Sequence, residues 1–156
     1  MDKKQLSERD ICTKFITPAL KDAGWNIRTQ ILEEVSFTDG KILVKGKFAQ
    51  RGKRKRADYI LFYKPNIPIA VIEAKDNNHT IGQGMQQAIE YAQILDVPFA
   101  YSSNGDGFME HDFTGGGDKI EVAFPLAEFS SPENLWERYL QSKNFVVSLF
   151  AIAHVK

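Results

Sequence analysis

The chain has 156 residues, 20 basic and 20 acidic, a formal net charge of zero at pH 7, and 43% apolar residues that include 11 Phe, 5 Tyr and 2 Trp. That length and apolar content suffice for one core and exclude a disordered tail or a fibrous repeat. Neutrality argues against a polyanionic partner only if the charge is evenly spread, and it is not. Residues 41–56 hold eight bases (Lys41, Lys45, Lys47, Arg51, Lys53, Arg54, Lys55 and Arg56) and no acid, which leaves 12 bases against 20 acids elsewhere.

In chain order, Ser7 followed by Asp10 reads as a capping box that opens a helix with Ile11, Phe15, Ala19 or Leu20, and Ala23 on its apolar face. Pro18 should kink or divide that helix and Gly24 should end it. Strands over 29–37 and 41–49 bracket an Asp39-Gly40 turn, a strong hairpin signal. Two further strands, 57–63 and 69–75, are joined by a turn at 64–68, and their near-continuous apolar runs place them in the middle of a sheet. The recurrence of Ile81, Met85, Ala88, Ile89, Ala92 and Leu95 is helical. Strands over 98–102 and 108–113 follow across an Asn104-Gly105 turn, and Ser131-Pro132-Glu133 starts a last helix carrying Leu135, Trp136 and Leu140. The order α-β-β-β-β-α-β-β-α predicts an α/β fold, a mixed β-sheet flanked by helices, with 1–156 as a single domain. Neither a repeat nor a second domain is evident.

The setting follows from what the sequence contains. MDKKQLSERD lacks the apolar region of a signal peptide, and the longest apolar tract, 145–155, is too short for a membrane span. The lone Cys12 excludes an internal disulfide, is most simply a core residue, and points to a reducing cytoplasm. Ending on FVVSLFAIAHVK, the chain is expected to be a fragment of something longer. Seven carboxylates gather between Glu110 and Glu137 against one base, Lys119, and a face of that sign would turn phosphate away.

A hairpin centred on Pro65-Asn66 pairs residues whose numbers sum to 131, so Asp58 falls opposite Glu73, with Lys75 on the same face two residues further on. Opposed carboxylates repel unless a cation neutralises them. Two readings fit. One is a site for Mg²⁺, which takes hard oxygen ligands and commonly one or two carboxylates; the other is a structural ion pair that closes the sheet end. The run that ends in Arg51, Lys53, Arg54, Lys55 and Arg56 lies immediately upstream and suits phosphate contact without sequence readout, or else is a solvated hairpin tip. His79, His111 and His154 have no zinc-like spacing, and Gly115-Gly116-Gly117 reads as a loop.

These residues resemble the PD-(D/E)xK nuclease superfamily, with Asp58 as the first acid and Glu73-Ala74-Lys75 as the second half-motif. Gln87-Ala88-Ile89-Glu90-Tyr91 matches the QxxxY motif of its RecB-like branch. Ala23-Gly24-Trp25, YSSNGDGFMEHD at 101–112 and SPENLWERY at 131–139 look like the N-terminal nuclease domain of the R (motor) subunit of type I restriction enzymes. Ala57 stands where the family name has Pro. The resemblance implies a cytoplasmic, Mg²⁺-dependent endonuclease acting on double-stranded DNA, in a complex with methyltransferase and specificity subunits and with no membrane role. It implies Mg²⁺ held by Asp58, Glu73 and the Ala74 carbonyl, Lys75 assisting the attacking water, and Gln87 and Tyr91 positioning the acids or contacting DNA. Tyr91 can equally be a core-edge residue. A further acid from the first helix is implied at Glu8, or alternatively Asp10, although capping or a solvated first turn explains either. No G-x-x-x-x-G-K-[ST] loop occurs, so ATP and the translocase of the full subunit are expected outside this chain. The alternative from another class is a DNA-binding or subunit-docking module of the same fold without catalysis.

Overall fold

The computed structural model describes residues 2–38, 41–42, 55–117 and 119–154. At the start of the chain the capping box forms as expected. The Asp10 N–H donates to Ser7 Oγ at 3.0 Å, the Ser7 N–H donates to Asp10 Oδ2 at 3.3 Å, and α1 (Glu8–Ile11) begins there. Pro18 has no N–H to return to the preceding turn, and the helix widens into a π-turn over Cys12–Ile16 before resuming as α2 (Thr17–Asp22). Gly24, at φ 104°, takes the left-handed conformation that ends it.

Among the described residues seven strands form one sheet: β1 (Ile31–Thr38), β2 (Lys41–Ile42), β3 (Lys55–Lys64), β4 (Ile67–Ala74), β5 (Phe99–Ser103), β6 (Gly107–Asp112) and β7 (Glu121–Pro125), in the order β2-β1-β3-β4-β5-β6-β7. β3 and β4 lie in the middle, as their apolar runs require. β4 and β5 pair in parallel through the crossover helix α3 (Met85–Leu95), and the other neighbours are antiparallel. The second strand of the expected hairpin is described only at Lys41–Ile42, and the Asp39-Gly40 turn lies outside the described residues. β7 corrects the six-strand expectation. It is short and largely exposed, so it carries almost none of the apolar periodicity by which a strand is recognised. The last described element is α4 (Pro132–His154). Among the described residues no helix is long and apolar enough to cross a membrane.

One core lies on each sheet face. On the first, Ile11, Ile16 and Leu20 pack against Ile31, Tyr59, Leu61, Ile72, Phe99, Tyr101 and Phe108, with Leu135 of α4. On the second, Met85, Ala88, Tyr91 and Ala92 of α3 pack against Val35, Phe37, Ala57, Ile60 and Val71. Ile31 and Val35 are four residues apart, and Ala57 and Tyr59 two, so regular alternation would keep each pair on one face. Each pair is divided instead between the two cores. The inversion falls where Glu34 meets Asp58. The register runs Glu33↔Tyr59 and Val35↔Ala57 with no residue inserted, and Glu34 between them has φ 54°. The inversion thus coincides with a left-handed residue that stands opposite the first acid of the candidate site.

Two of the late acids are withdrawn from the repelling face expected of them, while Glu121, Glu128, Glu133 and Glu137 remain exposed. Glu110 and Asp112 are buried and point inward, where Arg138 answers both: to Glu110 Oε1 at 2.7 Å, Glu110 Oε2 at 3.1 Å and Asp112 Oδ2 at 2.8 Å, with its guanidinium 4.7 Å over the Phe99 ring. The Tyr101 hydroxyl also donates to Glu110, and Glu121 pairs with His111. Arg138 stands one position beyond the acid-rich stretch, so counting charge within that window missed it.

Two predictions follow from this packing. A left-handed non-glycine residue costs roughly 1–2 kcal/mol, and exposed ion pairs return roughly 0–1 kcal/mol each. Glu34→Gly should therefore leave stability within about 1 kcal/mol of wild type, while Glu34→Val, β-branched at the same φ, loses about 2 kcal/mol in urea denaturation. Equal losses would show that the backbone at Glu34 is not the constraint. Arg138→Met leaves two buried carboxylates without a cation and should cost on the order of 2–4 kcal/mol at neutral pH. Adding Glu110→Gln and Asp112→Asn to that variant should recover part of the loss; no recovery would assign the effect to packing.

Candidate active site

The geometry starts from the turn. β3 and β4 are joined through Pro65 and Asn66, the latter at φ 67°, and the ladder pairs Tyr59↔Ile72, Ile60↔Val71 and Leu61↔Ala70, with an irregularity at Phe62. Extending that register by one residue sets Asp58 opposite Glu73. Each carboxylate then takes a backbone N–H beside the other. The Asp58 N–H donates to Glu73 Oε2 at 2.8 Å and the Ala74 N–H donates to Asp58 Oδ2 at 2.8 Å. Two carboxyl groups are thereby locked side by side at the end of the central hairpin.

Glu73 is 3% exposed and Asp58 is half-buried. α3 supplies much of the cover. A Cβ on Gly84 would stand 3.3 Å from Glu73 Cβ and 3.1 Å from Ser102 Oγ, so glycine is needed where the helix start presses on β4. The Gly84 N–H donates to the buried Ser102 hydroxyl at 2.9 Å and fixes that approach. Burial, first, and the Asp58 carboxylate, second, push the Glu73 pKa well above the ordinary carboxylate range. A hydrogen bond shared with the Asp58 side chain also favours the protonated form, and the Asp58 N–H acts the other way.

Lys75 follows the strand end, where its N–H donates to the Ser103 carbonyl at 2.9 Å and carries the ladder one residue further. Alternation then places its side chain on the Glu73 side. Among the described residues it has no ion-pair partner within 4.0 Å, and neither Asp58 nor Glu73 has one. Glu8, exposed on α1, has its pKa raised by partial desolvation and then by Asp58, while Lys75 lowers it, so it lies within electrostatic reach of the pair. Among the described residues no three His, Cys, Asp or Glu side chains converge as a metal cage. Asp10 is committed to the cap.

Gln87 and Tyr91 form one unit, with Gln87 Nε2 donating to the Tyr91 hydroxyl at 2.6 Å. Tyr91 is buried edge-on against Phe37, with centroids 5.0 Å apart, so it belongs to the core. Its hydroxyl nevertheless senses the site, because its pKa is raised by burial and then by Glu73. Of the basic run, Arg51, Lys53 and Arg54 lie outside the described residues. Lys55 approaches Glu90 at 3.7 Å, and Arg56 is ion-paired with Glu34. His79 is exposed and bonded to Asp76 at 3.0 Å. Cys12 is buried, and desolvation pushes its thiol up to about 12, which suits a packing role.

Sequence reasoning did not find Gly84 or Ser102. The doublet Gly82-Gln83-Gly84 before a helical pattern was the available signal for the first, since glycine at a helix start marks close approach of backbone. Ser102 carried no signal, because its partner is 18 residues away in sequence.

Comparison with known proteins places this geometry among relatives. The family described as the type I restriction enzyme R protein N terminus matches residues 26–122. The chain is 50% identical over 141 residues to the type I restriction enzyme EcoAI endonuclease subunit of Escherichia coli, a match covering 90% of this chain and 17% of that protein. It also resembles the solved structure of a fragment assigned as the HsdR subunit of a type I restriction enzyme from Vibrio vulnificus YJ016. There the TM-score is 0.73 and the identity 44%, over 89% of this chain and 26% of the other.

The raised Glu73 pKa yields a pH prediction with a definite sign. A folded-state value above the unfolded one means that folding favours the protonated form. That contribution is complete below the ordinary carboxylate range and is lost as pH climbs from there towards the folded value. The melting temperature of the metal-free protein should fall over that interval, and Glu73→Gln should flatten the fall. Superimposable profiles for the two proteins would show that Glu73 is not held in this way.

Proposed function

The chain belongs to the family of the type I restriction enzyme R protein N terminus, and from that premise we propose that it is a Mg²⁺-dependent PD-(D/E)xK endonuclease domain that hydrolyses DNA phosphodiester bonds. The observation that carries this reading is the mutual lock of Asp58 and Glu73, two carboxylates at the mouth of a central hairpin, without a protein cation paired to either among the described residues. The donor set fits Mg²⁺. Two carboxylates and the Ala74 carbonyl are hard oxygens, and this ion ordinarily keeps waters and takes substrate phosphate in its remaining positions. A cation there would also relieve the repulsion that lifts the Glu73 pKa.

Bound by these residues, Mg²⁺ would supply charge neutralisation at the phosphodiester and a lowered pKa for attacking water. The protein's own groups do the rest. Asp58 and Glu73 hold the ion against strand ends that their backbone bonds keep from shifting. Lys75, without an ion-pair partner among the described residues and on the same side, would orient the attacking water or accept its proton, and would offset the charge that builds on the pentacovalent phosphate. Gln87 with Tyr91, and Gly84 with Ser102, hold α3 over Glu73 and keep bulk water from it. The basic run that ends at Arg56 takes up backbone phosphates.

The chain spans 17% of the length of its Escherichia coli relative. We therefore place residues 1–156 as a single nuclease domain within a longer motor subunit. On this proposal ATP-driven translocation lies elsewhere in that subunit, and recognition belongs to methyltransferase and specificity partners.

Metal titration followed by calorimetry tests the site. Wild type should bind Mg²⁺ or Mn²⁺ with heat that is lost in Asp58→Ala and in Glu73→Ala, both still folded by circular dichroism. Lys75→Ala should keep the metal and lose cleavage in the assembled enzyme by at least about 10²-fold. An identical metal response in wild type and Glu73→Ala would leave the non-catalytic DNA-binding or docking module as the function of this fold.

A further inference from the structure

We propose that Arg9 and Arg56 form a binding site for a DNA backbone phosphate, and that the Glu34 carboxylate occupies this site in the free protein as an internal stand-in for that phosphate. The site lies at a cleft of about 520 Å³ lined by Glu34, Ser36, Lys55 and Arg56. Glu34 is ion-paired with Arg56 from β3 and lies 4.0 Å from Arg9 of α1, whose guanidinium also reaches Glu33 at 3.4 Å. Two guanidinium groups from elements far apart in sequence thus face one carboxylate, an arrangement in which planar forks match the oxygens of carboxylate and phosphate alike.

Packing does not demand that carboxylate. The side chains of Arg9, Glu34 and Arg56 are 50%, 47% and 59% exposed, and ion pairs so placed are weak and screened, so a polyanion can displace Glu34. The backbone does not favour a glutamate there either. At φ 54° glycine or asparagine would sit with less strain, and either would leave Arg56 without this acid and Arg9 with Glu33 alone. A strained residue maintained by weak contacts is accounted for when its side chain has a use.

Position supplies that use. By register Glu34 stands opposite Asp58, and directly opposed residues lie about 5 Å apart. A DNA strand carries one phosphate per roughly 3.4 Å of helix axis. A phosphate that replaces the Glu34 carboxylate is therefore a near neighbour along the strand of one lying over Asp58 and Glu73. Lys55 lines the same cleft and, with Arg56, ends the run of eight bases that begins at Lys41. The clamp rests on the nuclease reading in naming DNA as the polyanion, but its formation needs no metal.

Glu34→Gln keeps the side-chain length and the backbone demand while removing the charge. Binding of a short mixed-sequence duplex to this chain is measured in EDTA over a salt series, with melting curves to confirm folding. The variant should bind roughly two- to fivefold more tightly than wild type at low salt, with a log–log salt slope steeper by about 0.9 for each phosphate gained. Glu34→Gly should show the same gain, and both gains should vanish in an Arg9→Gln/Arg56→Gln background. Inorganic phosphate at matched concentration should gain less from Glu34→Gln than the duplex does, because it lacks the neighbouring contacts of a strand. Unchanged duplex affinity and slope in both Glu34 variants overturns the proposal. So does an equal gain in the double-arginine background, which would reflect net charge alone, or a gain with free phosphate as large as that with the duplex, which would remove the strand as the ligand. A gain that persists while Asp58→Ala leaves the Mg²⁺ response unaltered would keep the clamp and reject the nuclease reading.

Discussion

Two carboxylates, Asp58 and Glu73, each tied to a backbone N–H beside the other, are the constraint on which the candidate site depends. The bonds are short and cross between adjacent central strands, so neither acid can swing away to reduce its repulsion from the other. α3 then closes over Glu73, with Gly84 permitting the approach and Ser102 fixing it. Repulsion and desolvation act in the same direction, and the result is a carboxylate that favours its protonated form unless a cation arrives. A site built this way stores an electrostatic demand that the proposed Mg²⁺ would meet.

The same position governs the sheet around it. At Glu34 and Asp58 the strands β1 and β3 exchange faces, so that Val35, Phe37 and Ala57 serve the α3 core while Ile31, Tyr59 and Leu61 serve the core under α1 and α2. The exchange sets Asp58 at the boundary between the two cores, where Glu8 of α1 can sense it from one side and the Tyr91 hydroxyl of α3 from the other. The exchange coincides with the left-handed Glu34 and inserts no extra residue between β1 and β3, and the β3–β4 ladder stays in register over Tyr59–Leu61.

Charge in this protein is placed by contact rather than by count. Glu110 and Asp112 would belong to an acidic face by sequence, yet Arg138 draws both inward and links α4 to β6. Arg56 would belong to a free basic surface, yet it is answered by Glu34. The sign of a segment therefore indicates which partner it can meet, and the ion pairs decide which of its charges are available.

Local rules made much of the fold legible. The reciprocal bonds of Ser7 and Asp10, the division of the first helix near Pro18, the opposition of Asp58 and Glu73 across a two-residue turn, and the central place of β3 and β4 all follow from caps, dihedral limits and alternation, which act over a few residues. The spacing of Glu73 and Lys75, and of Gln87 and Tyr91, was legible for the same reason, since each pair lies within a few residues of one strand or one helix. Tertiary structure alone decided the burial of Glu73 beneath Gly84, the inversion at Glu34, the membership of Tyr91 in a core, the capture of two acids by Arg138, and the exposed edge strand β7. Each of these depends on which surfaces meet after the chain has folded, and desolvation and ion pairing between residues distant in sequence leave no trace in a local pattern.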